Sequence, residues 1–124
     1  MSLDVRLDGP AIAMPCFCRC GNEHTTTQRQ SLFDSNITHN LNTMAEAAGI
    51  YQHLWSPEGI GITKASELVG PLRAGLAMMK ADPAYFRALD APNGWGRYVD
   101  FVPWVEEYLC ACEKHPDAIV SVSR

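Results

Sequence analysis

The sequence predicts an α+β fold in which a small antiparallel sheet, built from N-terminal strands and one C-terminal strand, packs against three to four helices. Three observations carry this. Residues 4 to 34 alternate loosely between apolar and polar types and hold few helix formers. From Leu41 onward the apolar residues recur every three or four positions. Finally, Ala118-Ile119-Val120-Ser121-Val122 is short and β-rich, as suits a last strand returning to the first ones. Each apolar helix stripe must cover a surface, so the helices belong on one face of that sheet.

The N-terminal strand pieces carry Val5 and Leu7, Ile12 and Met14, the run Thr25-Thr26-Thr27, and Leu32-Phe33. Gly9-Pro10 and Cys20-Gly21-Asn22 read as turns between them. A first helix follows from Leu41, Met44, Ala48, Tyr51 and Trp55, which share one face, and ends near Ser56-Pro57. Thr43 and Glu46 have the spacing of a capping box, while Thr38 or Asn40 suits an earlier start. Gly49 costs that helix about 1 kcal/mol relative to Ala and fits best where another backbone packs closely. Ala65, Leu68, Val69, Leu72, Leu76 and Met79 define a second helix, with Thr63 as its cap. Gly70-Pro71 interrupts it and demands either a kink or a restart with Pro71 in the first turn, because proline lacks the N–H and collides with the preceding turn. Asp82-Pro83 is the cap and first residue of a short third helix carrying Phe86 and Leu89. Asn93-Gly94-Trp95-Gly96 is a compact loop. The last helix has the clearest stripe, Tyr98, Phe101, Val102, Val105, Leu109 and Cys112, with Pro103 tolerated near its start and His115-Pro116-Asp117 ending it.

Composition narrows the function classes. The 124 residues fit one domain, 1–124, and 47% apolar with 19% charged residues is a globular balance. No apolar run approaches the roughly 18 residues of a membrane span, and no basic flank precedes a hydrophobic segment at the N-terminus, where Met1-Ser2-Leu3 carries no argument. The net charge is -4 and the ten Lys and Arg are scattered, so nucleic acid, whose binding needs clustered cations, is disfavoured as a partner. Five cysteines is an odd number, better suited to free thiols in a reducing compartment than to a disulfide framework. A cytoplasmic protein is expected.

A wider pattern runs through a cysteine-glycine turn, Asn36-Ile37-Thr38-His39-Asn40-Leu41, Met44-Ala45, Tyr51-x-x-Leu54-Trp55, Asn93-Gly94-Trp95-Gly96-x-Tyr98, Phe101-Val102, Tyr108-Leu109, Cys112, Pro116-Asp117-Ala118 and Ser123-Arg124. In these residues the chain resembles a family of small, uncharacterised proteins encoded in bacteriophage genomes and prophages. The resemblance covers nearly everything after the first strand. It implies a phage or prophage setting and brings no catalytic residue with it.

The motif with the most chemistry is Asn36, Thr38, His39 and Asn40, set immediately before the first helix. A histidine can titrate near neutrality, ligate a metal or move a proton, and flanking carboxamides can hold a ligand. The same residue types are also what capping and a strand-to-helix turn require. Capping alone does not call for a histidine and two asparagines together, and that surplus marks the segment as a candidate ligand site, with the Trp95 loop as one wall of a concavity. His39 is expected to be partly shielded and hydrogen-bonded. Cys16, Cys18, Cys20 and His24 offer zinc-ligand chemistry, but a Cys-x-Cys-x-Cys-Gly spacing is not that of a zinc knuckle, so no metal and no other cofactor is favoured. Cys110 and Cys112 cannot chelate one ion from the same helix, and Cys112 belongs to the core stripe. His53 and His115 have no visible companions, Met78-Met79 reads as gap filling, and Trp55 and Trp104 as core or rim residues whose indole N–H groups need partners. No phosphate-binding glycine loop, nucleophile elbow or His-Glu-x-x-His helix is present.

Three functional readings follow. The first is an accessory protein that binds a protein or small ligand; the second a small enzyme, such as a metal-assisted hydrolase centred on His39 with a cysteine or acidic partner; the third a zinc-stabilised interaction module. Oligomeric state leaves no mark on the sequence.

Overall fold

Leu3, Val5 and Leu7 alternate with Asp4, Arg6 and Asp8 along the first strand, and the alternation decides how the chain is layered. The computed structural model describes the backbone of residues 2–17, 23–92 and 94–124, and side chains outside 10–30. Two long strands, β1 (Ser2–Phe17) and β2 (Glu23–Thr38), pair antiparallel, and β3 (Ile119–Ser123) joins the other side of β1, giving the order β2-β1-β3. Leu3, Val5 and Leu7 stand opposite Ile37, Ser35 and Phe33 on β2, and Val5 and Leu7 stand opposite Val122 and Val120 on β3. These residues form the inner face, where Leu3, Val5 and Leu7 are completely buried. The fold is α+β, as the sequence predicts.

The expected turn at Gly9-Pro10 is instead a bulge within β1. Asp8 pairs with Ser31 and Ala11 with Arg29, so Gly9 and Pro10 together face Gln30 alone. A bulge leaves one residue out of the ladder, which is where a proline without an N–H can sit inside a strand. The turn expected at Cys20-Gly21-Asn22 lies outside the described residues.

The helical half is a 3-10 turn (His39–Leu41), α1 (Asn42–Ala47), α2 (Tyr51–Trp55), a second 3-10 turn (Pro57–Ile60), α3 (Ser66–Ala81), α4 (Pro83–Arg87) and α5 (Tyr98–Lys114). The single first helix expected from Leu41 to Ser56 is broken at Gly49. Gly49 has φ +76°, its N–H donates to the Glu46 carbonyl at 3.0 Å, and the Ile50 N–H donates to the Ala45 carbonyl at 2.9 Å. That bond pair is a Schellman ending, which a glycine in the left-handed conformation permits. Gly49 is therefore needed for its backbone angle; a Cβ there would meet nothing within 4 Å, so no close neighbour explains it. The break turns Ile50 inward, 1% exposed, and leaves Tyr51, assigned to the stripe, 36% exposed.

Helices α3 and α5 run antiparallel, linked by Arg73–Glu113 and Lys80–Glu106 ion pairs and by the Tyr98 hydroxyl donating to the Met79 carbonyl at 3.0 Å. α3 passes through Pro71 as one helix instead of restarting, leaving the outward Glu67 carbonyl without its usual donor. Thr63 does not cap it; the Glu67 carboxylate accepts from the Lys64 N–H at 3.3 Å and from the Thr63 hydroxyl at 3.4 Å. Asp82 does cap α4, accepting from the Tyr85 N–H at 3.3 Å with Pro83 in first position. Leu68, Leu72, Met79, Phe101, Val105, Tyr108 and Cys112 join the inner sheet face in one apolar cluster. Met78, paired with Met79 as filler, is 50% exposed. Trp104, Tyr108 and Ala111 widen the buried face of α5 beyond the expected stripe. Among the described residues no helix is long and apolar enough to cross a membrane.

Candidate functional site

The polar motif sits where the sheet hands over to the helices. Asn36 pairs with Asp4 and Thr38 with Ser2, the last register pair of the hairpin, after which the chain turns into the 3-10 segment His39–Leu41. Thr38 is the residue that caps this turn: its hydroxyl oxygen accepts from the Asn40 N–H at 3.3 Å. Asn40 does not cap, and the Thr43–Glu46 box is not made, since Thr43 donates instead to the Asn42 carboxamide at 3.3 Å. Leu41 plugs into the core at 1% exposure and fixes the turn from below.

Against this turn lies the loop before α5. The Ala91 N–H donates to the Gly96 carbonyl at 2.9 Å, the Gly94 N–H to the Ala91 carbonyl at 3.0 Å, and the Tyr98 N–H to the Asp90 carboxylate at 2.7 Å. Gly96 has φ +135°, and a Cβ there would come within 3.1 Å of the Asn40 Cβ and 3.4 Å of the Leu41 Cγ. The loop backbone is thus seated directly on Asn40 and Leu41, a contact only glycine allows. Trp95, carried on this fixed loop, is 71% exposed. Asn93 lies outside the described residues.

Ser2, Asn36, Ile37, Thr38, His39, Asn40 and Trp95 line one open concavity of about 600 Å³. The structure therefore brings together Asn36, Thr38, His39, Asn40 and Trp95. Ser2 and Ile37 complete the lining. Ile37 carries no polar signal to mark it, and Ser2 reaches the site through its register opposite Thr38, a pairing that local pattern does not reveal.

His39 is partly shielded, but the expected hydrogen bond is missing at one ring nitrogen: Nε2 is buried without a partner among the described residues. The ring packs edge-on against Trp55, centroids 6.1 Å apart, and Trp55 stacks on Tyr51 at 5.4 Å. The Trp55 indole N–H likewise has no hydrogen-bond partner among the described residues, whereas the Trp104 N–H donates to the Ser35 hydroxyl at 2.9 Å.

Cys16 and His24 are register partners toward the end of the β1–β2 ladder far from His39. Cys18 and Cys20 lie outside the described residues. Among the described residues no three His, Cys, Asp or Glu side chains gather as a metal-holding group.

Two features escaped the sequence reading. His53 on α2 shares a recess of about 240 Å³ with Glu46 on α1, across the break at Gly49, and among the described residues its buried Nδ1 has no hydrogen-bond partner; the break itself, which local spacing does not reveal, sets the two side by side. A wider groove of about 760 Å³ follows α5 beside Leu32 and Phe33, lined also by Trp104, Glu107 and Cys110. Deeper under α5 lie the two most perturbed titratable groups. Burial, then the neighbouring Cys112, raises the Tyr108 phenol far above its usual range. Burial, then the Glu113 carboxylate, pushes the Cys112 thiol up to about 12. Both stay protonated at neutral pH, which suits core residues and not nucleophiles.

No protein-family model, curated protein or solved structure matches the chain.

Proposed function

We propose that this chain is a phage-type accessory protein of the host cytoplasm that acts by binding a small ligand in the concavity between the Asn36–Asn40 segment and the Trp95 loop. The observation that carries the reading is the exposed Trp95 held by Gly96 against a cluster of carboxamide and hydroxyl side chains. Placing a large aromatic in solvent forgoes the burial that tryptophan ordinarily contributes, and a ring so placed beside convergent polar groups is what small-molecule sites offer. Binding is favoured over catalysis because, among the described residues of the lining, His39 is the one histidine and no carboxylate or thiol stands beside it, and its Nε2 is closed to solvent. A small ligand is favoured over a protein partner because the surface is concave, with a volume in the usual range of small-ligand sites.

Thermal-shift screening of a small-molecule library against the intact chain, His39→Ala and Trp95→Ala tests this. Ligands that stabilise the parent should lose their effect in both variants, while the melting temperature of unliganded Trp95→Ala stays close to that of the parent. Hits retained undiminished by both variants would place the binding site elsewhere.

A further inference from the structure

We propose that the ligand of this concavity is a neutral, hydroxyl-bearing ring, a sugar residue free or at the end of a glycan; the inference rests on the reading of the concavity as the ligand site. Four classes of small ligand can be compared with the lining. An anion would be met by Arg, Lys or a nest of N–H groups, and the described residues of the lining include no Arg or Lys. A compact cation would be met by carboxylates, of which the described residues of the lining include none, or by a cage of several aromatic rings, where those residues supply one indole, that of Trp95. An apolar ligand would strand the side-chain hydrogen-bonding groups of Ser2, Asn36, Thr38 and Asn40 away from water, at a cost for each one left unpaired.

A ring with one apolar face and hydroxyls around its edge satisfies every part. The C–H face of a pyranose lies on an aromatic surface, which Trp95 supplies. Its hydroxyls both donate and accept, as do the carboxamides of Asn36 and Asn40 and the hydroxyls of Ser2 and Thr38. Thr38 keeps this capacity while capping the turn, because accepting the Asn40 N–H occupies one lone pair and leaves its O–H and the other lone pair unused. Two features keep these groups in place before any ligand arrives: Leu41 anchors the turn in the core, and Gly96 presses the Trp95 loop onto Asn40. A pre-formed arrangement reduces the ordering cost of binding.

The test is a two-dimensional amide NMR titration of the full chain with methyl glucoside, methyl galactoside and N-acetylglucosamine, and separately with adenosine, inorganic phosphate and choline. Expected is saturable movement of the amides of residues 36–41 and 94–97 with at least one of the three sugars. That affinity should fall at least tenfold in Trp95→Ala and in Asn36→Ala, whose remaining spectra report that the fold is intact. Saturable movement of the same amides with adenosine, phosphate or choline and with none of the sugars overturns the sugar assignment and leaves the site standing. Sugar-induced shifts confined to other parts of the chain, or no response at these amides to any of the six compounds, overturn the assignment and the site together.

Discussion

Replacing Tyr108 by Phe should stabilise the protein, against the usual direction for removing a tyrosine hydroxyl. The Tyr108 side chain is fully buried and its hydroxyl has no hydrogen-bond partner among the described residues, while the ring stacks on Phe33 at 5.8 Å and meets Trp104 edge-on at 5.7 Å. Phenylalanine keeps both ring contacts and removes only the oxygen. An unsatisfied buried hydroxyl costs about 1–3 kcal/mol of desolvation, whereas deleting a hydrogen-bonded one typically loses about 1 kcal/mol. The void left by a single oxygen takes back a few tenths, about the volume-scaled cavity cost. The net expectation is a gain of about 1 kcal/mol, a rise of roughly 3–6 °C in Tm for a chain of this size. Urea denaturation with an unchanged m-value measures it directly. A loss of 1 kcal/mol or more would mean that the hydroxyl is hydrogen-bonded in the folded protein and would refute the reasoning.

Gly75→Ala should destabilise although alanine is the better helix former by about 1 kcal/mol, because its Cβ would lie 2.5 Å from the Ile50 Cγ2, well inside van der Waals contact. In an Ile50→Ala background the same change should become stabilising, and a denaturation double-mutant cycle that shows no sign reversal would remove steric conflict as the cause. Ser35→Ala leaves the Trp104 indole N–H, now 2.9 Å from the Ser35 hydroxyl, without its acceptor and should cost about 1 kcal/mol by the same measurement; no change would mean that solvent replaces the serine. With a maleimide at pH 7, followed by peptide mapping, Cys110 should label in the native state and Cys112 only on unfolding. The folded Cys112 thiol is raised above its unfolded value, so its stabilising contribution is complete below about pH 8.5 and is lost as pH climbs toward about 12. Stability should therefore fall less steeply above pH 8.5 in Cys112→Ala than in the parent, and parallel profiles would contradict the shift.

Legibility in the sequence followed the range of the interactions involved. The stripes of α3 and α5, the Asp82-Pro83 start of α4 and the strand character of β3 follow from local periodicity, capping and composition, and these elements are where the sequence places them; β3 joins the N-terminal strand as a β-rich segment with no other sheet to enter. Gly49 misled because Ala48, Tyr51 and Trp55 keep helical spacing across it, while the choice between a helix with a weak glycine and a Schellman ending was decided by burying Ile50 under α3 at Gly75. Gly9-Pro10 misled for a related reason: the dipeptide breaks a ladder equally well as a turn or as a bulge, and the choice depends on what lies across the strand. For the concavity, residue type was enough to single out Asn36, Thr38, His39 and Asn40, since their polarity exceeds what the turn consumes. That Trp95 stands beside them depends on a contact between Gly96 and Asn40, and that His39 packs edge-on against Trp55 depends on a residue sixteen positions away, and neither is visible to local pattern.

The pairing of β3 with β1 has a consequence for how the chain comes into being. Asp4 to Asp8, near the beginning of the sequence, take their second set of strand partners from Ile119 to Ser123, near its end. During synthesis at about 5–20 residues per second, the inner strand of the sheet waits on the order of ten seconds with one edge unpaired. Leu3, Val5 and Leu7 wait with it, since α5, which helps to cover them, is also made late. Pairing across such a separation is slow to find and is rewarded only at closure, so the central strand of the sheet is the last to gain its full set of partners.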